Sequence, residues 1–153
     1  MVCAGKPKVI DRTFPYLPSA LFYFEDSPVI LVFDPKGGDV WRSENDGNDW
    51  KQVPEFKGKA HDIMEHPFDK EKAVVFTQGK EHWVTKDKGA SWSKFEVELP
   101  ASIRQPAIVF NAKNTDYALY SGRECGANDF FGTSCKDKVG HQKNTLEIRL
   151  GFC

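Results

Sequence analysis

The side chains best suited to chemistry lie in two turns that share one pattern. Residues 43–50, SENDGNDW, and residues 85–92, TKDKGASW, both read Ser/Thr, any residue, Asp/Asn, any residue, Gly, two residues, Trp. A carboxylate near a hydroxyl suits catalysis, but both groups also bond the backbone of their own turn. Because glycine and tryptophan recur with them, we expect the carboxylate to hold the turn together and not to act as a catalyst.

Each repeated position has an expected structural role. The hydroxyl bonds nearby backbone groups, the Asp or Asn oxygen accepts backbone N–H groups across the turn, and the glycine supplies a positive φ. The tryptophan buries a large apolar area and keeps an indole N–H free to find an acceptor. The predicted structural residues are Ser43, Asn45, Gly47 and Trp50 in the first turn, and Thr85, Asp87, Gly89 and Trp92 in the second.

A second set of chemically capable residues lies between the two turns. It comprises His61, Asp62, Glu65, His66 and His82, whose side chains are all possible metal ligands. His61 and Asp62 are expected on one strand, where adjacent side chains point to opposite faces. His66 belongs to a connector and His82 to another strand, so we expect no convergence. The sequence therefore predicts no metal site, and no cofactor is expected.

The composition is that of one globular domain built from many short elements. The chain has 153 residues, of which 40% are hydrophobic and 28% charged, with 9 Pro and 12 Gly spread along it. A net charge of −1 gives no support for nucleic-acid binding or electrostatic membrane attachment. The longest apolar stretches are far shorter than the roughly 20 residues of a spanning helix. No signal-peptide core is visible at the start, so no direct membrane insertion is expected.

The four cysteines leave the redox compartment open. They are Cys3, Cys125, Cys135 and Cys153, and no pair has zinc-motif spacing. Cys125 and Cys135 close a small disulfide loop if the compartment is oxidising, and they stay free thiols if it is reducing.

The two turns belong to a repeat with a period of about 42 residues. Residues 38–53 align with 80–95, and a third copy begins at 109–121 without a third turn of the same pattern. Four short strands per unit at this period are typical of β-propeller blades. We predict an all-β partial β-propeller with two complete four-stranded antiparallel blades and part of a third.

Strand positions follow the runs of Val, Ile, Phe and Trp between Gly, Pro, Asp and Asn. They are expected at about 20–25, 29–33, 39–43 and 50–53 in the first unit, and at about 60–65, 73–78, 81–85 and 92–97 in the second. Blade 1 then covers about 18–55, blade 2 about 58–99 and a partial blade 3 about 104–138, with the tail 139–153 unassigned. The charged connector FDKEK, residues 68–72, is expected to be a solvated loop.

The turn pattern is the Asp-box, or BNR repeat, which identifies an architecture and leaves function open. The surrounding residues are more specific. LPSALFYFEDSPVILVFDPKGGDVWRSENDGNDW resembles the opening blade of the fungal vacuolar protein sorting receptors, relatives of sortilin that include the carboxypeptidase Y sorting receptor. AHDIMEHPFDKEKAVVFTQGKEHWVTKDKGASW resembles their second blade, and YALYSGRECGANDFFGTSCKDK resembles their cysteine-bearing insertion. The resemblance covers about residues 7–138.

This resemblance implies a receptor and not an enzyme. The family carries a large propeller and disulfide-rich modules on the lumenal side of Golgi and endosomal membranes. It binds protein or peptide cargo such as vacuolar hydrolases and carries it from Golgi to vacuole by means of a spanning helix and a cytoplasmic tail. In a lumenal parent, Cys125 and Cys135 are the expected disulfide pair. No motif for cargo contacts matches this chain, so cargo-binding residues are not assigned.

Measured against that family, the chain is expected to be an N-terminal fragment or a truncated gene product. Two and a half blades leave a sheet face uncovered and strand edges unpaired, so we expect self-association and weak cargo binding. A generic Asp-box propeller that serves protein interaction is an alternative.

A sialidase-like glycosidase fragment is a further alternative. Such an enzyme needs an arginine cluster for the substrate carboxylate. The arginines Arg12, Arg42, Arg104, Arg123 and Arg149 are scattered. SIRQP, residues 102–106, echoes an Arg-x-Pro motif, but it follows the second turn, whereas in sialidases the motif precedes the first. We predict no enzymatic activity and no catalytic residues.

Overall fold

The computed structural model describes residues 9, 11–102, 106–125, 135–138 and 146–149. The strands are β1 (Ala20–Tyr23), β2 (Ile30–Asp34), β3 (Asp39–Ser43), β4 (Lys51–Gln52), β5 (Ala60–Glu65), β6 (Ala73–Thr77), β7 (Glu81–Thr85), β8 (Ser93–Glu96), β9 (Ile108–Phe110), β10 (Tyr117–Tyr120), β11 (Gly122–Glu124), β12 (Lys136–Lys138) and β13 (Leu146–Arg149). A 3₁₀ helix at Pro54–Phe56 is the sole helical element of the described residues, which therefore include no helix able to span a membrane.

Two four-stranded antiparallel sheets repeat the same meander. The first sheet has the order β1-β2-β3-β4 and the second the order β5-β6-β7-β8, so each strand pairs with its neighbour in sequence. The second strand of each meander, β2 or β6, has a strand on both sides and is buried along its whole length. This architecture confirms the predicted all-β fold of propeller blades. The fourth strand of the first sheet is shorter than expected, with only Lys51–Gln52 paired.

Two apolar cores join three sheets face to face. Between the first and second sheets, Leu31, Phe33 and Val40 pack with Ile63 and Val75. On the other face of the second sheet, a separate core is shared with β9 and β10; it includes Val74, Phe76, Val84, Ile108, Phe110 and Ala118. The sheets are therefore stacked side by side, as the blades of a propeller are.

A third sheet has the order β13-β10-β9. Its third strand, β13, comes from the tail that the sequence left unassigned, and it pairs antiparallel with β10 from Tyr117↔Arg149 to Tyr120↔Leu146. Between β10 and β13 the chain forms a two-stranded ribbon, β11-β12. The third sheet thus extends past residue 138, where we expected the partial blade to end.

A register shift between Ala60 and Asp62 interrupts the pairing of β5, and His61 and Asp62 are both exposed. One local expectation is wrong. The run 68–72 is not uniformly solvated, since Lys72 is 7% exposed. Its ammonium lies 2.9 Å from a carboxylate oxygen of Asp69 and 2.9 Å from one of Asp116, and so joins the connectors of the second and third sheets.

Candidate functional site

Turn 1, residues 43–50, is closed by the side chains of its first and third positions. The Ser43 hydroxyl accepts the N–H of Gly47 at 2.9 Å and donates to Oδ1 of Asn45 at 3.1 Å. The same Asn45 oxygen accepts the backbone N–H of Asp49 at 2.9 Å. Both side chains are therefore engaged by their own turn.

Turn 2, residues 85–92, repeats this network with a carboxylate in place of the amide. Thr85 Oγ1 accepts the N–H of Gly89 at 2.7 Å and donates to Oδ1 of Asp87 at 2.8 Å, and Asp87 Oδ1 accepts the N–H of Ser91 at 2.9 Å. Burial acts to raise the pKa of Asp87, but hydrogen bonds from Ser91 and Thr85 outweigh it and hold the pKa below its usual value. A carboxylate kept ionised in this way is poorly suited to donate a proton in catalysis.

Left-handed backbone occurs at two successive positions in each turn. Gly47 has φ of 79° and Gly89 has φ of 76°, as the pattern predicts for glycine. The residues before them, Asp46 and Lys88, have φ of 56° and 58°. The sequence did not indicate this second position, because lysine seldom adopts a positive φ.

The two tryptophans that end the turns have matching packing and different hydrogen bonds. Trp50 meets the edge of Phe14 at 5.2 Å between ring centroids, and Trp92 meets Phe56 at 5.0 Å. Trp50 Nε1 donates to the carbonyl of Gly47 at 3.0 Å, whereas Trp92 Nε1 is buried without an acceptor among the described residues. Sequence reasoning missed both phenylalanines, although they are separated by the same period of about 42 residues.

A groove of about 290 Å³ lies between the two turns and is the best candidate contact surface. Asn45, Asp49 and Lys51 line it from the first sheet, and Gly89 and Trp92 line it from the second. Charged groups of both signs reach it, because Arg42, Glu44 and Glu55 also line it. Such a surface suits a polar or peptide ligand held by hydrogen bonds and ion pairs.

The possible metal ligands do not converge. His61 and Asp62 are exposed on β5, whereas His66 and His82 are 3% and 0% exposed and face the core shared with the third sheet. Across the described part of the chain, no three His, Cys, Asp or Glu side chains group as metal ligands would.

Arg12 and Arg42 each bind a different backbone carbonyl and so do not form a shared anion site with each other. Arg12 donates to the carbonyl of Asn48 at 2.6 Å, and Arg42 donates to that of Lys88 at 2.8 Å. Arg123 lies on β11 and Arg149 on β13, while Arg104 lies outside the described residues.

Cys125 and Cys135 are joined by a disulfide, with their Cα atoms 4.0 Å apart. The bond closes the ribbon β11-β12 directly after Glu124 and before Lys136. Cys3 and Cys153 lie outside the described residues.

The repeated sheets define a protein of the β-propeller class, and a solved structure supports the same fold. A crystal structure of an ancestral GH74 enzyme matches with a TM-score of 0.51 and 18% identity, over 68% of this chain and 16% of that chain. Identity at this level supports the fold alone. The family model described as "Sortilin, neurotensin receptor 3" matches residues 38–147. The chain therefore belongs to the Sortilin-Vps10 family, whose members are receptors and not enzymes.

Similar proteins include three fungal ones named "Vacuolar protein sorting/targeting protein 10". The protein from Blastomyces gilchristii is 38% identical over 82% of this chain, that from Ajellomyces capsulatus 35% over 89%, and that from Mycosarcoma maydis 35% over 87%. The chain spans only 8–9% of the length of these relatives. The names of these relatives support a role in vacuolar protein sorting for the family to which the chain belongs.

Proposed function

We propose that the chain is part of the ectodomain of a vacuolar protein sorting receptor and contributes to non-covalent cargo binding in Golgi-to-vacuole transport. The observation that carries this proposal is the match of residues 38–147 to the family model. The turns are consistent with it, because their hydroxyls and their Asp and Asn side chains hold backbone groups, as expected of a binding scaffold.

The groove between turns 1 and 2 is the proposed contact surface for cargo. Lys51 and Glu55 are both exposed and line it with opposite charges, so it suits a peptide segment that also carries both signs. Exposed ion pairs each contribute about 0–1 kcal/mol. Useful affinity for cargo therefore requires several contacts. Because the chain spans only 8–9% of the length of its relatives, we expect other parts of the parent ectodomain to supply the remaining contacts.

The proposed location is the lumenal side of Golgi and endosomal membranes, in a membrane-anchored parent. The Cys125–Cys135 disulfide supports an oxidising compartment, because reducing compartments keep most thiols free.

A receptor chimera tests the proposal in a setting that supplies the missing parts of the propeller. Residues 11–138 replace the matching segment of the Mycosarcoma maydis relative, and the secreted ectodomain is immobilised for binding to a fungal vacuolar hydrolase precursor. We expect saturable binding that a Lys51→Glu substitution weakens about threefold, equivalent to about 0.7 kcal/mol. The matched control is Lys113→Glu, an exposed lysine in the β9–β10 connector. A folded chimera that does not distinguish the hydrolase from a secreted non-vacuolar protein would contradict the proposal.

A further inference from the structure

The contact between the second and third sheets contains two buried histidines. His82 is on β7 and 0% exposed, and His66 follows β5 and is 3% exposed. The contact between the first and second sheets differs, because it has no buried histidine among the described residues. The two inter-sheet contacts are thus chemically unlike.

His82 is the centre of a hydrogen-bond chain that crosses from the second sheet to the third. The backbone N–H of Thr77 donates to His82 Nδ1 at 3.2 Å, so the ring proton is on Nε2. His82 Nε2 lies 2.9 Å from the hydroxyl of Tyr120, on β10, and that hydroxyl donates to the carbonyl of Leu99 at 3.0 Å. In this chain of bonds Nδ1 accepts and Nε2 donates, which requires a neutral imidazole.

Burial of His82 among aromatic rings outweighs the one group that favours its positive charge, a backbone hydrogen bond to Glu81. The rings of Phe76, Phe95 and Tyr120 lie 5.3–5.6 Å from its ring. Burial lowers the pKa of His82 to about 4 and raises the pKa of Tyr120, so both groups are neutral at pH 7. Protonation of Nδ1 would also remove the acceptor of the Thr77 N–H.

His66 marks a second position in the same contact. Its Nδ1 accepts the N–H of Phe68 at 3.1 Å, and its ring lies 4.1 Å from that of Phe110, on β9. Burial lowers the pKa of His66, the nearby Asp69 carboxylate acts to raise it, and the Lys72 ammonium acts to lower it again.

The charged groups that act on His66, Asp69 and Lys72, already form an ion pair with each other. Lys72 binds Asp69 and Asp116, and Lys86 lies 3.4 Å from the same Asp116 carboxylate. Because Asp69 and Asp116 already bind lysine ammonium groups, neither carboxylate is free to pair exclusively with a protonated His66.

We propose that the contact between the second and third sheets is an acid-sensitive joint, in which protonation of His82, assisted by His66, breaks the Thr77–His82–Tyr120–Leu99 chain and releases β9 and β10. The contact between the first and second sheets stays closed over the same pH range because, among the described residues, it holds no buried histidine. Acidification thereby loosens the third sheet from the second, while the first and second sheets stay folded and packed together.

Hydrogen–deuterium exchange of the 153-residue chain tests this joint segment by segment. After correction for the intrinsic pH dependence of exchange, the opening constant of β9 and β10 should rise about 30-fold between pH 7.5 and pH 5. The amides of β2 and β3 should change less than about threefold. All four tryptophans lie in the first two sheets or their turns, so tryptophan fluorescence should stay constant over this range.

Matched variants connect the effect to one side chain. His82→Gln keeps a neutral acceptor and donor and should abolish most of the pH dependence at β9 and β10, while the exposed-histidine control His61→Gln should retain it. In case His82→Gln fails to fold, an NMR titration of the His82 ring in the unmodified chain gives a second readout. Titration of His82 near the ordinary value of about 6.5 would overturn the proposal. So would equal loss of protection in all three sheets, or an unchanged pH response in folded His82→Gln.

Discussion

Arg42 of the first sheet donates from Nε to the backbone carbonyl of Lys88, in turn 2 of the second sheet, at 2.8 Å. The Arg42 side chain reaches this carbonyl by passing over Gly89, where an added Cβ would lie 3.2 Å from Arg42 Cδ and 3.2 Å from Leu31 Cδ2. The glycine of the repeated pattern therefore has two functions: it permits the positive φ of its own turn, and it gives the neighbouring blade room to bind that turn.

Gly89→Ala should destabilise the chain by roughly 1–3 kcal/mol, because alanine resists φ of 76° and its Cβ crowds Arg42. Urea unfolding monitored by tryptophan fluorescence measures the change. Gly79→Ala is the matched control, since Gly79 has no positive φ and its added Cβ would meet only Thr77 Oγ1 at 3.7 Å. Equal costs for the two variants would contradict this account of Gly89.

Thr85→Val should cost roughly 1–3 kcal/mol, because it removes the buried oxygen that accepts the Gly89 N–H at 2.7 Å while keeping the side-chain shape. Thr85→Ser keeps that oxygen and loses one methyl group, so its cost should stay near 0.8 kcal/mol. The same urea titration compares them, and a Ser variant as unstable as the Val variant would show that the hydroxyl is not the important group.

The lowered pKa of Asp87 predicts that the folded state becomes less stable as the pH falls. Its folded-state pKa lies below its ordinary value of about 3.9, so its stabilising effect is complete above that value and is lost as pH falls through the folded-state pKa. Asp87→Asn, which copies Asn45 of turn 1, should fold and should lose less stability than the unmodified chain below about pH 4. Asp11→Asn, at an exposed position, serves as the control. Parallel stability curves for Asp87→Asn and the unmodified chain would be evidence against this role.

Val109 and Leu119 stand opposite each other on β9 and β10 and are 58% and 52% exposed. Adjacent exposed apolar side chains on a sheet face favour association. We predict concentration-dependent self-association of the 153-residue chain that Leu119→Glu reduces, as measured by light scattering coupled to size exclusion. Leu17→Glu, at an 87% exposed leucine before β1, should have little effect. A chain that stays monomeric at all concentrations would refute the prediction.

The repeat made most of the first two sheets predictable, since one period fixed both the turns and the strand positions around them. The third sheet was less predictable from the sequence. The ribbon β11-β12 separates β10 from its partner β13 along the chain, and no local pattern connects the two strands. The polar contacts between sheets were also missed. His82 and Tyr120 are 38 residues apart, and pairing at that distance depends on packing that the sequence pattern does not encode. Lys72 looked solvated because its neighbours in sequence are charged, yet its partner Asp116 comes from the next connector.

A complementation assay tests most directly whether this chain forms part of a sorting receptor. Fungal cells lacking their own receptor would express the full-length Mycosarcoma maydis relative carrying residues 11–138 of this chain, with Thr85→Val as a structural control. The measurement is the fraction of a vacuolar hydrolase that is secreted. Retention of the hydrolase in cells with the chimera, and its secretion with the Thr85→Val version, is the predicted result. Secretion from cells that contain normal amounts of a correctly located, folded chimera would contradict the account.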